Sequence, residues 1–381
     1  MYTKDSINKL YRDIAVSIDI SDEMFENAEE VYKELGKWVD ENTPLYDISI
    51  YPQGSFGLGT VVKPISNADD YDMDVVLQFA HQYGLTAKAL KVDTVKPLLV
   101  RYKKASKEIE EKRRCWHVEY DDVPNFHMDV IPSYADGKII EITDHNEDTN
   151  QYSYIGSNPS GYIQWFFGRC AKQRERLYEN YKREHQLIVA QADVEEVKRR
   201  KVKTPLQRAV QLLKRHRDIV FEKDDSGNKP ISILITTIAA QLYEEEDNIF
   251  DAIANILKKA PAWLQSQKSN GKYYIPNPAC PLENYADKWN EHPERAQAFF
   301  TWLAQAQKDL SSDALFNLDR VGMGQHIRSI FGDLTGKIVF AEQAAQTQSA
   351  IKNGTLKVNP HTGSLSAAGS IAVAANHHHG K

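Results

Sequence analysis

The chain reads as an α+β fold in which short strands and helices alternate through a first lobe and helices alone build a second. Three observations carry that expectation. Short β-branched or apolar runs that carry acidic residues recur within the first 150 residues, helical periodicity takes over from about residue 162, and large apolar residues thin out after about residue 341. The expected boundaries are 1–150 for the strand-bearing lobe with its N-terminal helix, 151–340 for the helical lobe, and 341–381 for a mobile tail.

The 381 residues, 41% of them apolar and 26% charged, suffice for one large bilobal domain or two ordinary ones. No run approaches the roughly 18–20 apolar residues of a membrane span, and Met1-Tyr-Thr-Lys-Asp5 lacks an apolar signal core, so a cytoplasmic protein without a membrane partner is expected. Cys115, Cys170 and Cys280 are an odd number at spacings far from any zinc pattern and read as reduced thiols. A net charge of -6 argues against a chain built to wrap duplex nucleic acid.

Taken in order, the elements begin with a helix from Ser21 to about Val39, where Met24, Phe25, Ala28, Val31, Tyr32, Leu35 and Trp38 repeat at helical spacing behind a Ser21 cap. Residues 45–51 alternate as a strand and run into the glycine-rich turn Pro52-Gln-Gly-Ser-Phe-Gly-Leu-Gly-Thr60. Further strands are expected at Met73 to Phe79 and at Phe126 to Pro132. Helices follow at Tyr162 to Tyr181, Thr204 to Phe221 and Ile231 to Tyr243. Thr204-Pro-Leu-Gln207 supplies a cap, a first-turn proline and a capping-box glutamine, and Asp224 to Pro230 makes the turn between the last two helices.

The chemistry lies in Gly54-Ser55, in Tyr71-Asp-Met-Asp-Val75, where sixteen residues separate Ser55 from Asp72, and in His127-Met-Asp-Val-Ile131. Residues two apart in a strand share a face, so Asp72 and Asp74 present paired carboxylates that Asp129 can join from a neighbouring strand. Asp70/Asp72 is a second two-apart pair, but Asp69 and Asp70 follow Asn67-Ala68 as loop residues, whereas the apolar run Val75-Val-Leu77 directly follows Asp74. Three converging carboxylates suit Mg²⁺, or Mn²⁺ in its place, and two such ions clamp an in-line displacement at phosphorus. In that arrangement Asp72 and Asp74 serve both ions, while Asp129 holds the ion beside the attacking hydroxyl. The Gly54-Ser55 turn adds backbone N–H groups and a hydroxyl for a triphosphate, so nucleoside triphosphates are the expected substrates.

Gln53-Gly-Ser-Phe56, Asp72-Met-Asp74 and Asp129-Val-Ile-Pro132 together resemble the bacterial cGAS/DncV-like nucleotidyltransferases, a branch of the polymerase-β-like superfamily. Two later segments extend the resemblance to about residue 335. Thr204 to Arg217 with Lys229-Pro-Ile-Ser-Ile-Leu234 is similar to the family's spine helix and the helix after it, and Asn277-Pro-Ala-Cys-Pro-Leu-Glu-Asn284 with Trp289 and Trp302 looks like its later helical segment.

The resemblance implies a polymerase-β-like lobe with a short mixed sheet, and synthesis of a cyclic di- or trinucleotide second messenger in antiphage defence, sensed by a downstream effector without direct contact. It also implies Gln53, Gly54, Ser55, Lys214 and Ser232 as triphosphate-binding residues. Cyclisation follows from the resemblance alone, because the same carboxylates would serve a linear oligonucleotide or RNA-tailing polymerase. The absence of an evident basic RNA-binding surface disfavours tailing, and three intact acids disfavour an inactive regulatory relative. The basic run Lys198 to Lys203 and the histidines His377 to His379 receive no role. Some family members are conjugated through their C-terminus by ubiquitin-like machinery, with which Gly380-Lys381 is compatible only if Lys381 is accepted or removed.

Overall fold

A computed structural model describes residues 2–66, 70–102, 109–120, 123, 125–185, 202–358, 365–366 and 371–372. Asn67 to Asp69, most of the 198–203 basic run, His377 to His379 and Gly380-Lys381 lie outside the described residues. The chain divides into two compact units, Met1–Asn317 and Leu318–Lys381.

The first unit opens with helices α1 (Lys4–Ser17) and α2 (Asp22–Asn42), the latter capped as expected by Ser21, whose side chain accepts the Met24 N–H at 3.1 Å. Strands β1 (Ile48–Pro52), β2 (Tyr71–Phe79), β3 (Ile109–Glu111), β4 (Trp116–Glu119), β5 (Phe126–Asp136), β6 (Ile139–Asn146) and β7 (Gln151–Ser157) form one mixed sheet. Only the β2–β5 pairing is parallel; its other ladders are antiparallel. Strand β5 is central, with β2 along one edge and, on the other, β4 beside its first half and β6 beside its last.

The faces of β2 divide cleanly. Tyr71, Met73, Val75, Leu77 and Phe79 are buried with Ala28, Val31, Leu35 and Val39 of α2, and with Val118, Met128 and Val130 of the neighbouring strands. Each such side chain contributes about 1.5–3 kcal/mol on burial. Asp72, Asp74 and Val76 take the opposite face, where Val76 packs with Ile131, Ile140 and Ile142.

Between β2 and β3 the chain makes a π-helical stretch, Ala89–Val95, continued by α3 (Lys96–Arg101). Lys91 of that stretch is wholly buried; its ammonium donates to the Lys112 and Arg113 carbonyls, the latter at 2.9 Å, and pairs with Glu111 at 3.3 Å. This fixes the corner from which Arg113 and Arg114 reach Asp144, at 2.8 and 3.1 Å.

After the sheet come α4 (Pro159–Arg169), α5 (Ala171–His185), α6 (Pro205–Val220), α7 (Ser232–Leu242), α8 (Ile249–Ser266), α9 (Asp287–Glu291), α10 (Pro293–Asp309) and α11 (Ser312–Phe316). The single helix expected over 162–181 is two helices, broken at Cys170. There Arg169 turns its guanidinium onto the Ala240 and Tyr243 carbonyls, both at 2.8 Å, at the C-terminal end of α7. Helix α6 is the buried axis of this unit. Its expected capping box forms, with Thr204 accepting the Gln207 N–H at 3.3 Å and Gln207 accepting the Thr204 N–H at 2.9 Å. Asp19 at the end of α1 accepts from Lys203, Arg208 and Gln211, at 2.9, 2.6 and 2.6 Å.

One expected helical segment is not helical. Residues 276–284 form a strand pair, Pro276–Asn277 with Cys280–Asn284, because Pro276, Pro278 and Pro281 deny helix donors, while Trp289 and Trp302 do sit on α9 and α10.

The second unit carries α12 (Arg320–Phe331) and α13 (Asp333–Lys352), then two-residue strands in which Lys357–Val358 pairs with Leu365–Ser366 and Ile371–Ala372. Helix α13 therefore runs past residue 341, where the sequence turns rich in small and polar residues. Among the described residues no helix is long and apolar enough to cross a membrane.

Candidate active site

Strand β1 delivers the chain to Gln53, whose N–H donates to the Asp74 carbonyl at 2.8 Å and whose position caps a short helix, Gly54–Leu58. The glycine-rich segment, expected as a turn, is thus a helical turn closed by Gly57 N–H to the Gln53 carbonyl, at 3.1 Å. Gly54 stands at φ +56, and a Cβ there would lie 2.0 Å from Oδ2 of Asp74. The carboxylate packs directly on the glycine, so backbone conformation and space both exclude a side chain.

Asp72 and Asp74 share one face of β2, and the parallel register puts Asp129 of β5 opposite Asp74. Burial first, then the negative charges of Asp72 and Asp129, push the Asp74 carboxyl well above the usual carboxylate range, with Lys214 pulling the other way. Protein surrounds this carboxylate even though the cleft leaves part of it accessible. Three acids converging with one nearby ammonium form an oxygen donor set that a divalent cation would neutralise, so the residues present fit Mg²⁺ or Mn²⁺.

Lys214 reaches the site from α6, 7% exposed, with its ammonium donating to the Thr60 carbonyl at 3.1 Å. Burial and the Arg217 charge pull its pKa down to about 8, against Asp72, Asp218 and Asp74. Ser232 is the first residue of α7, and its hydroxyl accepts from Arg217 Nη1 at 2.9 Å. Gln53, Gly54, Ser55, Asp72, Asp74, Lys214 and Ser232 all line one cleft of about 380 Å³, within the range of small-molecule sites. Asp129 stands one strand further in.

Several residues at the cleft or beside the acids have no role that the sequence assigns. Glu283 accepts from Ser157 Oγ at 2.9 Å and from Asn277 Nδ2 at 2.8 Å, and its other oxygen lies 3.7 Å from Arg114. Asn277 is 1% exposed. His117 of β4 lies opposite Asp129, with Nδ1 3.0 Å from Oδ1. Strand pairing and a proline-bent hairpin bring these groups in from distant positions, and no local spacing encodes that.

Residues 1–169 match the model of the Second Messenger Oligonucleotide or Dinucleotide Synthetase domain. A c-di-GMP synthase of Roseivirga ehrenbergii is 31% identical over 279 residues, 71% of this chain and 70% of that protein. The chain belongs to the cGAS/DncV-like nucleotidyltransferases. It is accordingly a nucleotidyltransferase of the kind that synthesises cyclic oligonucleotides. The cyclic dinucleotide synthase CdnG of Bradyrhizobium diazoefficiens is 23% identical over 344 residues, 86% of this chain and 81% of that protein. The solved structure of that CdnG in complex with GTP superposes with a TM-score of 0.69 at 21% identity, over 88% of this chain and 99% of that one. Vibrio cholerae DncV cyclic AMP-GMP synthase, in complex with nonhydrolyzable GTP, gives 0.51 at 15% identity, over 87% and 80%. At these identities the two structures speak for the shared fold, an α+β nucleotidyltransferase with a helical portion.

Proposed function

We propose that this nucleotidyltransferase condenses nucleoside triphosphates, GTP among them, into a cyclic dinucleotide with release of pyrophosphate at each bond, the product acting as a second messenger in antiphage defence. The observation that carries the reaction is the Asp74 carboxylate seated on Gly54, between Asp72 and Asp129 and within the field of Lys214. The names of both relatives support the ring of two, and that of the c-di-GMP synthase supports the guanine base.

Two divalent cations, Mg²⁺ or Mn²⁺, held by Asp72, Asp74 and Asp129 would supply activation of the attacking hydroxyl and neutralisation of the leaving pyrophosphate. Asp129, placed on the strand beside the Asp72/Asp74 pair, would hold the ion that activates the attacking hydroxyl and take the hydroxyl proton. Gly54 and Ser55 receive the triphosphate with backbone N–H groups and the serine hydroxyl, and Gln53, whose own N–H is engaged by the Asp74 carbonyl, with its side-chain amide. Lys214 sets an ammonium against the phosphates, and Ser232, oriented by Arg217, adds a hydroxyl. The buried walls around Lys214 and Asn277 keep competing water from the α-phosphorus.

Incubation with all four labelled nucleoside triphosphates and Mg²⁺ or Mn²⁺, followed by phosphatase and mass spectrometry, tests the reading. A phosphatase-resistant guanine-containing ring, lost in Asp72→Asn/Asp74→Asn, is the expected product. Phosphatase-sensitive chains would replace cyclisation with linear polymerisation.

A further inference from the structure

Beside the catalytic acids, on the same face of the sheet, stands a ligand set of a different chemistry. His127 lies two residues before Asp129 on β5, and so on its face, while His117 of β4 lies directly opposite Asp129 in the antiparallel register. The two imidazoles are stacked at a tilt with ring centroids 4.2 Å apart. One ligand atom from each of His117, His127 and Asp129 falls within 4.8 Å of the others. Nδ1 of His127 is buried without a hydrogen-bond partner.

We propose that His117, His127 and Asp129 bind a transition-metal ion of the Zn²⁺ or Co²⁺ kind, at a site that shares Asp129 with the catalytic set and uses neither Asp72 nor Asp74. Two imidazoles and one carboxylate are donors that these ions take and that Mg²⁺, which prefers an all-oxygen shell, does not. With metal–nitrogen bonds near 2.0–2.1 Å, tetrahedral ligand atoms stand about 3.3 Å apart, so side-chain rotation of about 1.5 Å closes the set. The surroundings already carry the groups that orient metal-bound imidazoles. Asp70 lies 3.8 Å from Nδ1 of His127, and Glu119 lies 3.9 Å from Nε2 of His117, each placed to accept an N–H that the metal leaves in place. The Asp129 oxygen that stands 3.0 Å from Nδ1 of His117 in the metal-free arrangement becomes a ligand beside that nitrogen when the ring is in its Nε2–H tautomer.

The site does not depend on the nucleotidyl-transfer reading, and the experiment separates the two. Full-length protein carrying His377→Ala, His378→Ala and His379→Ala, to silence the terminal histidines, is stripped with chelator and titrated with Co²⁺ without nucleotide. Visible absorption and calorimetry report binding. One equivalent is expected in tenfold-excess Mg²⁺, which keeps Co²⁺ from the Asp72/Asp74 pair, and its ligand-field bands should persist in Asp72→Asn/Asp74→Asn. His117→Gln and His127→Gln should each weaken binding at least tenfold while keeping the metal-free melting temperature. X-ray absorption of the Co²⁺-loaded parent, which needs no further variant, should show two imidazoles in the coordination shell. Absence of binding, displacement by Mg²⁺ together with loss in the Asp72/Asp74 variant, or a shell without imidazole would each overturn the proposal.

Discussion

Adding one methyl group at residue 54 should silence the enzyme without unfolding it. In Gly54→Ala the new Cβ would meet Oδ2 of Asp74 at 2.0 Å, and tolerable approaches begin at about 3.0 Å, so the carboxylate or the helical turn must yield by about 1 Å. A displacement of that size at a group aligning reacting atoms costs about 100-fold in rate, roughly 2.7 kcal/mol of barrier. Holding alanine at φ +56 costs a further ~1–2 kcal/mol of stability, offset by about 0.4–1 kcal/mol from the stiffer unfolded chain. Gly57→Ala is the matched control. Its Cβ would crowd chiefly the Ile163 Cδ1 methyl, at 2.6 Å, the flexible end of an apolar side chain that can turn aside without moving an acid. Steady-state product formation and thermal melting of both variants should give a kcat about 100-fold down for Gly54→Ala, and activity within a few-fold of wild type for Gly57→Ala. Equal activities in the two variants would refute the argument that the glycine exists to seat Asp74.

Three other outcomes follow from the same geometry. Because the folded-state pKa of Asp74 is raised, the folded protein keeps a proton that the unfolded chain loses above 3.8, so stability falls as pH climbs through that window and the penalty persists at neutral pH. Asp74→Asn should therefore melt higher than wild type in chelator at pH 7.5, by about 0.5–2 kcal/mol, while only wild type gains from Mg²⁺; a lower melting point would contradict the repulsion. Lys214, with a pKa of about 8 in the empty cleft, loses its charge as pH rises, so triphosphate affinity measured with a fluorescent nucleotide should fall about tenfold between pH 7 and 9. Lys214→Met should bind weakly with a flat profile over that range, and an equally steep profile would assign the titration elsewhere. Thr204→Ala, which removes the cap of α6, should cost about 1 kcal/mol in chemical denaturation and leave activity at 25 °C unchanged; a loss under 0.3 kcal/mol would show that Gln207 alone holds that end.

What the sequence disclosed about this site was what strands and caps encode locally. Asp72 and Asp74 fall on one face because the period of a strand is two, and Val75 to Leu77 identify the strand. Thr204 and Gln207 announce their helix because a capping box is a four-residue device. Gly54-Ser55 was legible as a glycine-dependent turn after a strand, but not as a helical turn, since nothing local reveals that Asp74 presses on it. The sequence assigned no role to His117 or Arg114, and it marked Asn277 and Glu283 only as part of a segment that resembles the family. Glu283 and Arg114 meet groups far along the chain, Glu283 with Ser157 across 126 positions, while His117 meets Asp129 and Asn277 meets Glu283 through strand registers that residue spacing does not give. The break at Cys170 is of the same kind, made by Arg169 serving the end of another helix.

Lys91 shows how one edge of the cleft is kept ready. Its ammonium gathers the carbonyls of Lys112 and Arg113 and the carboxylate of Glu111 around a single positive charge in the interior, the task an inorganic ion performs at comparable corners. A cation tethered by its own side chain is never dilute and is never removed by a chelator. The corner that holds Arg114 toward Glu283 is therefore assembled before any nucleotide arrives, and incoming substrate spends none of its binding energy on ordering it. A cell starved of divalent ions would hold an enzyme stalled at its chemistry but with this rim still in shape, able to resume as soon as the ions return.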